Sequence, residues 1–528
     1  MSARLDDICA WIRAAAPTGR ITADSRRVTP GDVFFAYPGE AADGRTFIGA
    51  AIANGAAAVL FEERGFAWDA RFAVPHLAVA DLKASAGPIA HAFYRHPDAA
   101  MFTVGVTGTN GKTSCALWTA QALAQLGAGK GEGKGEAAAV IGTLGVGLVR
   151  GRAEPVFDVT GYTTPDAVLL AGELDKLKSA GAGALAIEVS SIGLVERRTA
   201  GMHFDVAVFT NLTRDHLDYH GDMDAYESAK LQLFAWPGLR TAVVNLDDAA
   251  GVRIVDYLRA QRPDVAVTGY TVQEDDAGTG AGTEAGAGAA AFDGIEVLRA
   301  SNLRARPAGT EFQLASPWGA LVARTQLVGR FNVSNALAVL GALLAKGIEL
   351  RAALDAIEAL TPAPGRLQQV GGQDAPLVVI DYAHTPDALE KTLAALRPVA
   401  KERGGRLWCV FGCGGDRDPG KRPQMGRIAQ HADQVVATSD NPRSEAPQAI
   451  IEQVVAGMDA AGAPWQAVED RAAAILLAVK QAGKADVILL AGKGHEPYQE
   501  IKGRKIPFSD ADHAALALTA RLTMMRTN

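Results

Sequence analysis

The chain has 528 residues, 48% of them hydrophobic, enough for about three or four domains that each bury a core. A formal net charge of −7 excludes a general nucleic-acid binder, so any anionic ligand must be held by local clusters of charge. The four cysteines, Cys9, Cys115, Cys409 and Cys413, lack the spacing of a disulfide framework or a C-x-x-C motif and read as buried thiols in a reducing cytosol.

The opening MSARLDDICAWIRAAAPTG carries acids where a secretory signal needs basic residues. No apolar run of ~20 residues follows, so a soluble cytoplasmic protein without membrane insertion is expected. Strand-like DVFFAYPG, AAAVLFE and PHLAVADL alternate with helical stretches up to RHPDAA, and a domain boundary is placed near Pro97. MFTVGVTGTNGKTS then runs from an apolar strand into a glycine-rich turn, with helical spacing in CALWTAQALAQL. The glycine-rich stretch 127–136 reads as a surface insertion.

AGALAIEVSS, FDVAVFTNLT and TAVVNLDD each end an apolar strand on polar residues, where parallel α/β sheets gather ligands. Residues 275–291 are Gly, Ala, Thr and acids almost throughout and carry no functional expectation. A second boundary falls near Pro362. Beyond it PLVVIDYAHTPD, LWCVFGCGGDRD, QVVATSDNPRSE and DVILLAGKGHE repeat the pattern. The expected fold is α/β in three domains, 1–98, 99–363 and 364–528.

TGTNGKTS departs from G-x-x-x-x-G-K-[ST], because Val106 stands where the first glycine belongs. It still reads as a phosphate loop. Gly108 and Gly111 let the backbone of Thr109, Asn110 and Ser114 curl so that its N–H groups converge on phosphate. Lys112 adds a charge, Thr113 a hydroxyl suited to Mg²⁺, and the following helix its N-terminus. A glycine-rich turn without a ligand is the plain alternative. Glu188 and His216, at neighbouring strand ends, could complete a metal site or merely cap helices. Lys230, in YESAKLQLF, reads on composition as a solvated helix lysine.

TGTNGKTS, EVSS, FTNLTRDHLDYHGDMDAYESAKLQLF, GRFNVSNALA, DYAHTPDAL, FGCGGDRDPGKRP, SDNPRSE and AGKGHE occur in this order, after DSRRVTPGDVFFAYPG and ADGRTFI. Together, over nearly the whole chain, they resemble the Mur ligases, ATP-dependent amino-acid-adding enzymes of peptidoglycan synthesis. The members most similar are those that extend UDP-N-acetylmuramoyl-L-alanyl-D-glutamate by its third residue. The resemblance implies a UDP-binding domain, a central P-loop ATPase with a parallel sheet and a C-terminal Rossmann-like domain, in a monomer. It implies transfer of the γ-phosphate to the D-glutamate carboxylate, and attack on that acyl phosphate by an amine. It also implies two Mg²⁺ ions, held by Thr113, Glu188, His216 and a CO₂-derived carbamate on Lys230.

By the same resemblance Ser25 and the turn of Glu40, Ala41 and Ala42 surround uridine, and Thr163, Thr164, Ser190, Glu196 and Arg198 face the pyrophosphate and peptide. Tyr162, Ile192 and Glu196 depart from the family pattern. Glu196 adds a charge near an anionic substrate and so needs an offset. Asn332 and Asn335, one helical turn apart, face adenosine or cap their helix, and Arg366, Asp381 and His384 serve the nucleotide.

SDNPRSE carries the choice of amino acid. Asp440 and Asn441 end a strand, Pro442 stiffens the turn, and Arg443 offers a planar fork for a carboxylate. With Arg417, Gly492 and Glu496 from neighbouring strand ends, it suits a ligand bearing both an amine and a carboxylate at its far end. That description fits meso-diaminopimelate and does not fit L-lysine. L-lysine addition, folylpolyglutamate synthesis and a non-ligating nucleotide switch are the competing readings.

Overall fold

The computed structural model describes residues 2–39, 42–128, 137–152, 155–272, 294–306, 309–372 and 374–527. Its strands form three sheets, one after another along the chain, and a final hairpin. The first sheet orders Ile21–Thr22, Val33–Ala36, Ala58–Glu62 and His76–Val79, all parallel. VFFA and AVLFE are buried on both faces, as strands sandwiched between helices must be. Helices Ser2–Ala15 and Leu82–Phe93 cover one face through Ile12 and Ile89, and Ile48–Ala53 covers the other.

The second sheet runs, edge to edge, Gly319–Thr325, Gly309–Ser316, Glu296–Arg306, Ala266–Val272, Thr241–Asn245, Val206–Phe209, Phe102–Thr107, Ala182–Glu188, Ala137–Gly142, Gly145–Val149 and Phe157–Asp158. Antiparallel strands lie at both edges; the seven from Glu296–Arg306 to Ala137–Gly142 are parallel. The chain enters at Phe102–Thr107, in the middle, and builds outwards to both sides. That reversal opens a crevice at the carboxyl ends of the strands. Helices Lys112–Ala128 and Arg330–Ala345 pack on one face, and Ala167–Ser179 and Ala249–Gln261 on the other. The indole of Trp118, buried in the first of these helices, donates to the Thr361 carbonyl at 2.8 Å and ties it to the segment that leads out of the central domain.

The third sheet orders Gln368–Gly371, Leu377–Asp381, Val487–Ala491, Leu407–Phe411, Gln434–Ala437 and Trp465–Ala467, parallel after the first pair. Strands Tyr498–Ile501 and Arg504–Pro507 form the separate hairpin. All four cysteines are free and buried. Among the described residues no helix is long and apolar enough to cross a membrane. Apart from residues 127 and 128, the segments 127–136 and 275–291 lie outside the described residues.

Candidate active site

The loop after Phe102–Thr107 is held by the end of its neighbour Val206–Phe209. Asn211 takes the N–H of Thr109 on its carbonyl at 2.8 Å and that of Asn110 on its side chain at 2.9 Å. Thr210 Oγ1 donates back to the Asn110 carbonyl at 2.6 Å. Not every N–H group of the loop is thus open to a ligand. Two of them fix the loop, and those at the N-terminus of helix Lys112–Ala128 are left to meet an anion. Gly108 (φ 147°) and Gly111 (φ 87°) make the curve, and a methyl on Gly108 would collide with the Thr210 hydroxyl.

Lys112 folds its ammonium onto the carbonyls of Gly108 and Thr109, both at 2.8 Å. Lys230 reaches the same Gly108 carbonyl at 2.9 Å and lies 4.3 Å from the centre of the Tyr226 ring. It is 2% exposed, so the composition reading of a solvated lysine is wrong. Helix Met223–Leu231 presents this face inwards beside the buried Tyr226. Burial first, and then the Lys112 charge, push the Lys230 pKa well below that of an ordinary lysine.

Glu188, at the end of its strand, accepts from the Thr113 hydroxyl at 3.0 Å and the Thr143 N–H at 2.8 Å. Arg366 donates to Thr113 Oγ1 at 3.2 Å, while its buried Nε has no hydrogen-bond partner among the described residues. A buried, unpaired guanidinium donor beside a helix N-terminus suits an oxyanion. His216, in a left-handed backbone state (φ 53°), has Nε2 3.6 Å from Asp215 and its ring centre 6.1 Å from that of Tyr226. Among the described residues no three His, Cys, Asp or Glu side chains gather as a metal site. The hard oxygens of Thr113 and Glu188 are nevertheless the donor type that Mg²⁺ takes.

A cleft of about 1270 Å³ separates this loop from the third sheet, lined by Asn110, Gly111, Ser114, Asn332, Asn335, Arg366 and Asp381 among others. Asn332 and Asn335 lie inside helix Arg330–Ala345 with their side chains 3.4 Å apart, and Gly329 holds the cap position, so neither asparagine caps that helix. The Asp381 carboxylate is engaged by the N–H groups of Leu367 and Ala383, both at 2.9 Å, and so shapes the wall. His384 pairs Nδ1 with the Tyr382 carbonyl at 2.8 Å. Burial, and then Lys421, push its pKa down to about 4, so the ring is neutral with Nε2 as acceptor.

On the other flank, Glu40 and Ala41 lie outside the described residues; Ser25 is buried, and Ala42 accepts the Gly39 N–H at 2.9 Å. Thr163 and Thr143 share a hydroxyl contact of 3.1 Å. Thr164 donates to the Glu188 carbonyl at 2.9 Å, and Ser190 caps the helix Ser191–Val195. Arg198 answers the Glu196 question. Its Nη2 lies 3.4 Å from the Glu196 carboxylate, and its guanidinium 5.4 Å from the centre of the Tyr162 ring.

At the third sheet, Asp440 and Asn441 are buried around a cation that sequence reasoning missed. Lys493 is fully buried, its Nζ 3.5 Å from Asp440, 3.1 Å from Asn441 and 3.1 Å from Glu496. Its lodging in AGKGHE, at the end of an apolar strand, was the available signal. The Arg443 fork is only partly free: Nη1 donates to the Gly415 carbonyl at 2.6 Å, and Nε lies 3.4 Å from Glu500. Arg417 is exposed on the adjoining loop. Beneath, Arg471 and Asp510 form a fully buried ion pair at 2.7 Å, from which Arg471 also donates to the Ala491 carbonyl at 2.9 Å and the Ser439 carbonyl at 3.4 Å. Gly492 follows Ala491 and donates to the Asp381 carbonyl at 3.1 Å, and Pro442 packs on Gly415.

Family models match three stretches: "Mur ligase family, catalytic domain" over residues 19–94, "Mur ligase middle domain" over 106–343 and "Mur ligase, glutamate ligase domain" over 365–494. A UDP-N-acetylmuramoyl-L-alanyl-D-glutamate--2,6-diaminopimelate ligase of Janthinobacterium sp. (strain Marseille) is 59% identical over 98% of this chain and 97% of its own. One of the same name from Ralstonia nicotianae is 50% identical over 99% and 97%. A solved structure of a ligase so named superposes with a TM-score of 0.62 at 34% identity, covering 95% of each chain. By sequence and by fold alike, the chain belongs to the Mur ligase family.

Proposed function

We propose that this enzyme joins meso-diaminopimelate to the D-glutamate carboxylate of UDP-N-acetylmuramoyl-L-alanyl-D-glutamate, with ATP as co-substrate, as a cytoplasmic monomer making peptidoglycan precursors. The observation that carries this reading is a run of contacts joining the amino-acid turn to the phosphate loop. Asn441 donates to Glu496 at 2.8 Å, Tyr382 donates to Glu496 at 3.4 Å, the Arg366 guanidinium lies 4.7 Å from the Tyr382 ring centre, and the same guanidinium donates to Thr113 Oγ1 at 3.2 Å. A family likeness over nearly the whole length of the diaminopimelate-adding relatives supports the choice of substrates. The units assigned are 1–98 for UDP, 99–363 for ATP and 364–528 for the amino acid.

In this mechanism the D-glutamate carboxylate attacks the γ-phosphorus and ADP leaves. Two anions must meet for that step, and Lys112 and Arg366 stand beside the helix N-terminus to offset their repulsion. The diaminopimelate amine then attacks the acyl carbon, phosphate departs, and the amide forms. Thr113 and Glu188 fit Mg²⁺, with His216 as a further ligand, and Mg²⁺ when bound neutralises phosphate charge. Lys230, whose burial favours the uncharged amine, is suited to attack CO₂ with loss of one proton, giving a carbamate that adds a carboxylate to this set. Arg443 takes the distal carboxylate of the incoming amino acid. Arg198, Thr163 and the turn at Ser25 and Ala42 hold the UDP-linked acceptor.

The test is ADP release with UDP-muramoyl dipeptide across a panel of diamino acids. meso-Diaminopimelate should exceed L-lysine by at least ~100-fold in kcat/KM, because lysine leaves the Arg443 fork without its anion. Arg443→Ala should lose most of the diaminopimelate activity while the KM values for ATP and the dipeptide stay near normal. Equal kcat/KM for the two amino acids would overturn the assignment, and turnover of a folate in place of the dipeptide would move it to another ligase.

A further inference from the structure

Strand Ala137–Gly142 lies beside Ala182–Glu188 with Ile141 opposite Ile187, so Gly142 arrives next to Glu188. A methyl on Gly142 would stand 2.1 Å from Glu188 Oε1, so the backbone approaches the carboxylate this closely only as glycine. The chain then reverses through Thr143 and Leu144 into strand Gly145–Val149, with Gly142 paired to Gly145. Gly145 takes φ 123°, and Leu144 is buried in the central core. Thr143 is thereby fixed at the tip of a two-residue turn.

Its polar atoms reach away from that hairpin. The Thr143 N–H donates to Glu188 Oε1 at 2.8 Å and its hydroxyl to Oε2 at 3.3 Å. The same hydroxyl lies 3.1 Å from that of Thr163. With the Thr143 proton on Glu188, the Thr163 hydroxyl is the donor between the two threonines. Among the described residues the carboxylate takes one further hydrogen bond, from Thr113 at 3.0 Å. Thr113 is itself assigned to Mg²⁺, so Thr143 is the partner that grips both oxygens from outside the metal set. Glu188 is 1% exposed, so its orientation comes from the protein and not from solvent.

We infer that Thr143 is a positioning residue for the metal site: it fixes the plane of the Glu188 carboxylate before a cation arrives, and joins that carboxylate to Thr163 on the acceptor side. The inference rests on the assignment of Glu188 to Mg²⁺ above and deepens it. A carboxylate oriented in advance meets a cation with little ordering cost, and partners of this kind set affinity although they never touch the metal.

Thr143→Val keeps the β-branched outline and the backbone N–H and removes the hydroxyl, whereas Thr143→Ser keeps the hydroxyl. The probe is Mn²⁺, its unbound fraction read by electron paramagnetic resonance with the full chain and a non-hydrolysable ATP analogue. Thr143→Val should raise the Mn²⁺ Kd roughly tenfold and lower kcat roughly ten- to a hundredfold, the scale of losing a ligand's hydrogen-bond partner. KM for meso-diaminopimelate should stay within about twofold, and Tm within about 2 °C. Thr143→Ser should bring the Mn²⁺ Kd back to within about threefold of the unmodified enzyme. An unchanged Kd in Thr143→Val would overturn the inference. So would an equal loss in both variants, which would make the methyl and not the hydroxyl responsible. Failure of Glu188→Ala to weaken Mn²⁺ binding would overturn the metal assignment, and this inference with it.

Discussion

Two lysine side chains, those of Lys112 and Lys230, donate from Nζ to one carbonyl, that of Gly108. Lys112→Ala should lower turnover by more than ~100-fold, the scale of one preorganised transition-state contact, measured as ADP release at saturating substrates. A near-normal rate would sink the phosphate-loop assignment. For Lys230 the folded-state pKa lies below that of the unfolded chain, so the unfolded state binds more protons between the two values. Stability is therefore lost as pH falls from the ordinary lysine value towards the folded one, and regained as pH rises. In CO₂-free buffer, Lys230→Met should raise Tm near neutral pH, and the gain should shrink as pH approaches about 10. The same variant should be nearly inactive. A gain independent of pH would remove the buried amine from the explanation. None of this was legible in YESAKLQLF, because the groups that bury Lys230 include a glycine 122 residues away.

At the level of elements, strands were readable because apolar runs such as ALAIE and VVID end on polar residues, and the parallel sheets bury those runs on both faces. The loop was readable as strand, turn and helix. Which of its amides stay open was not, because that depends on Asn211, on a different strand end. The same limit hid Lys493, whose partners Asp440 and Asn441 are more than fifty residues away in the chain. The helix Arg330–Ala345 closes the loop from the other side, and a methyl on Gly111 would lie 2.5 Å from Asn335 Oδ1. Gly111→Ala also asks an alanine to keep a left-handed φ, at a cost of about 1 kcal/mol. It should raise KM for ATP by about tenfold or more and leave the dipeptide KM within about twofold. An unchanged ATP KM would show that this helix does not pack on the nucleotide loop.

Over the whole molecule, the polar contacts between the central and third domains include, among the described residues, Asn110 to Asp387 at 3.1 Å, Arg366 to Thr113 at 3.2 Å and Arg214 to Asp418 at 3.5 Å. Partly exposed contacts of this kind contribute about 1 kcal/mol or less each, and Phe331 adds apolar packing on the core of the third sheet. Asp387→Ala should raise KM for ATP about threefold, shift Tm by under about 2 °C, and increase the change in radius of gyration that ATP produces in small-angle scattering. A scattering change no larger than that of the unmodified enzyme would argue that this contact plays no part in closure. Such contacts have no signature in the sequence, since each joins residues from separate domains.

The buried Arg471–Asp510 pair has a bearing on how the protein is made. Both pocket loops, around Arg443 and Glu496, leave the ribosome before Asp510 does, yet Arg471 braces them only once that carboxylate has arrived. A chain interrupted in between lacks both that counter-charge and the helix Asp510–Thr527 that packs on the helix of Arg471. Translation errors there should yield fragments that proteases clear, and should not yield a ligase that loads the wrong amino acid into the cell wall.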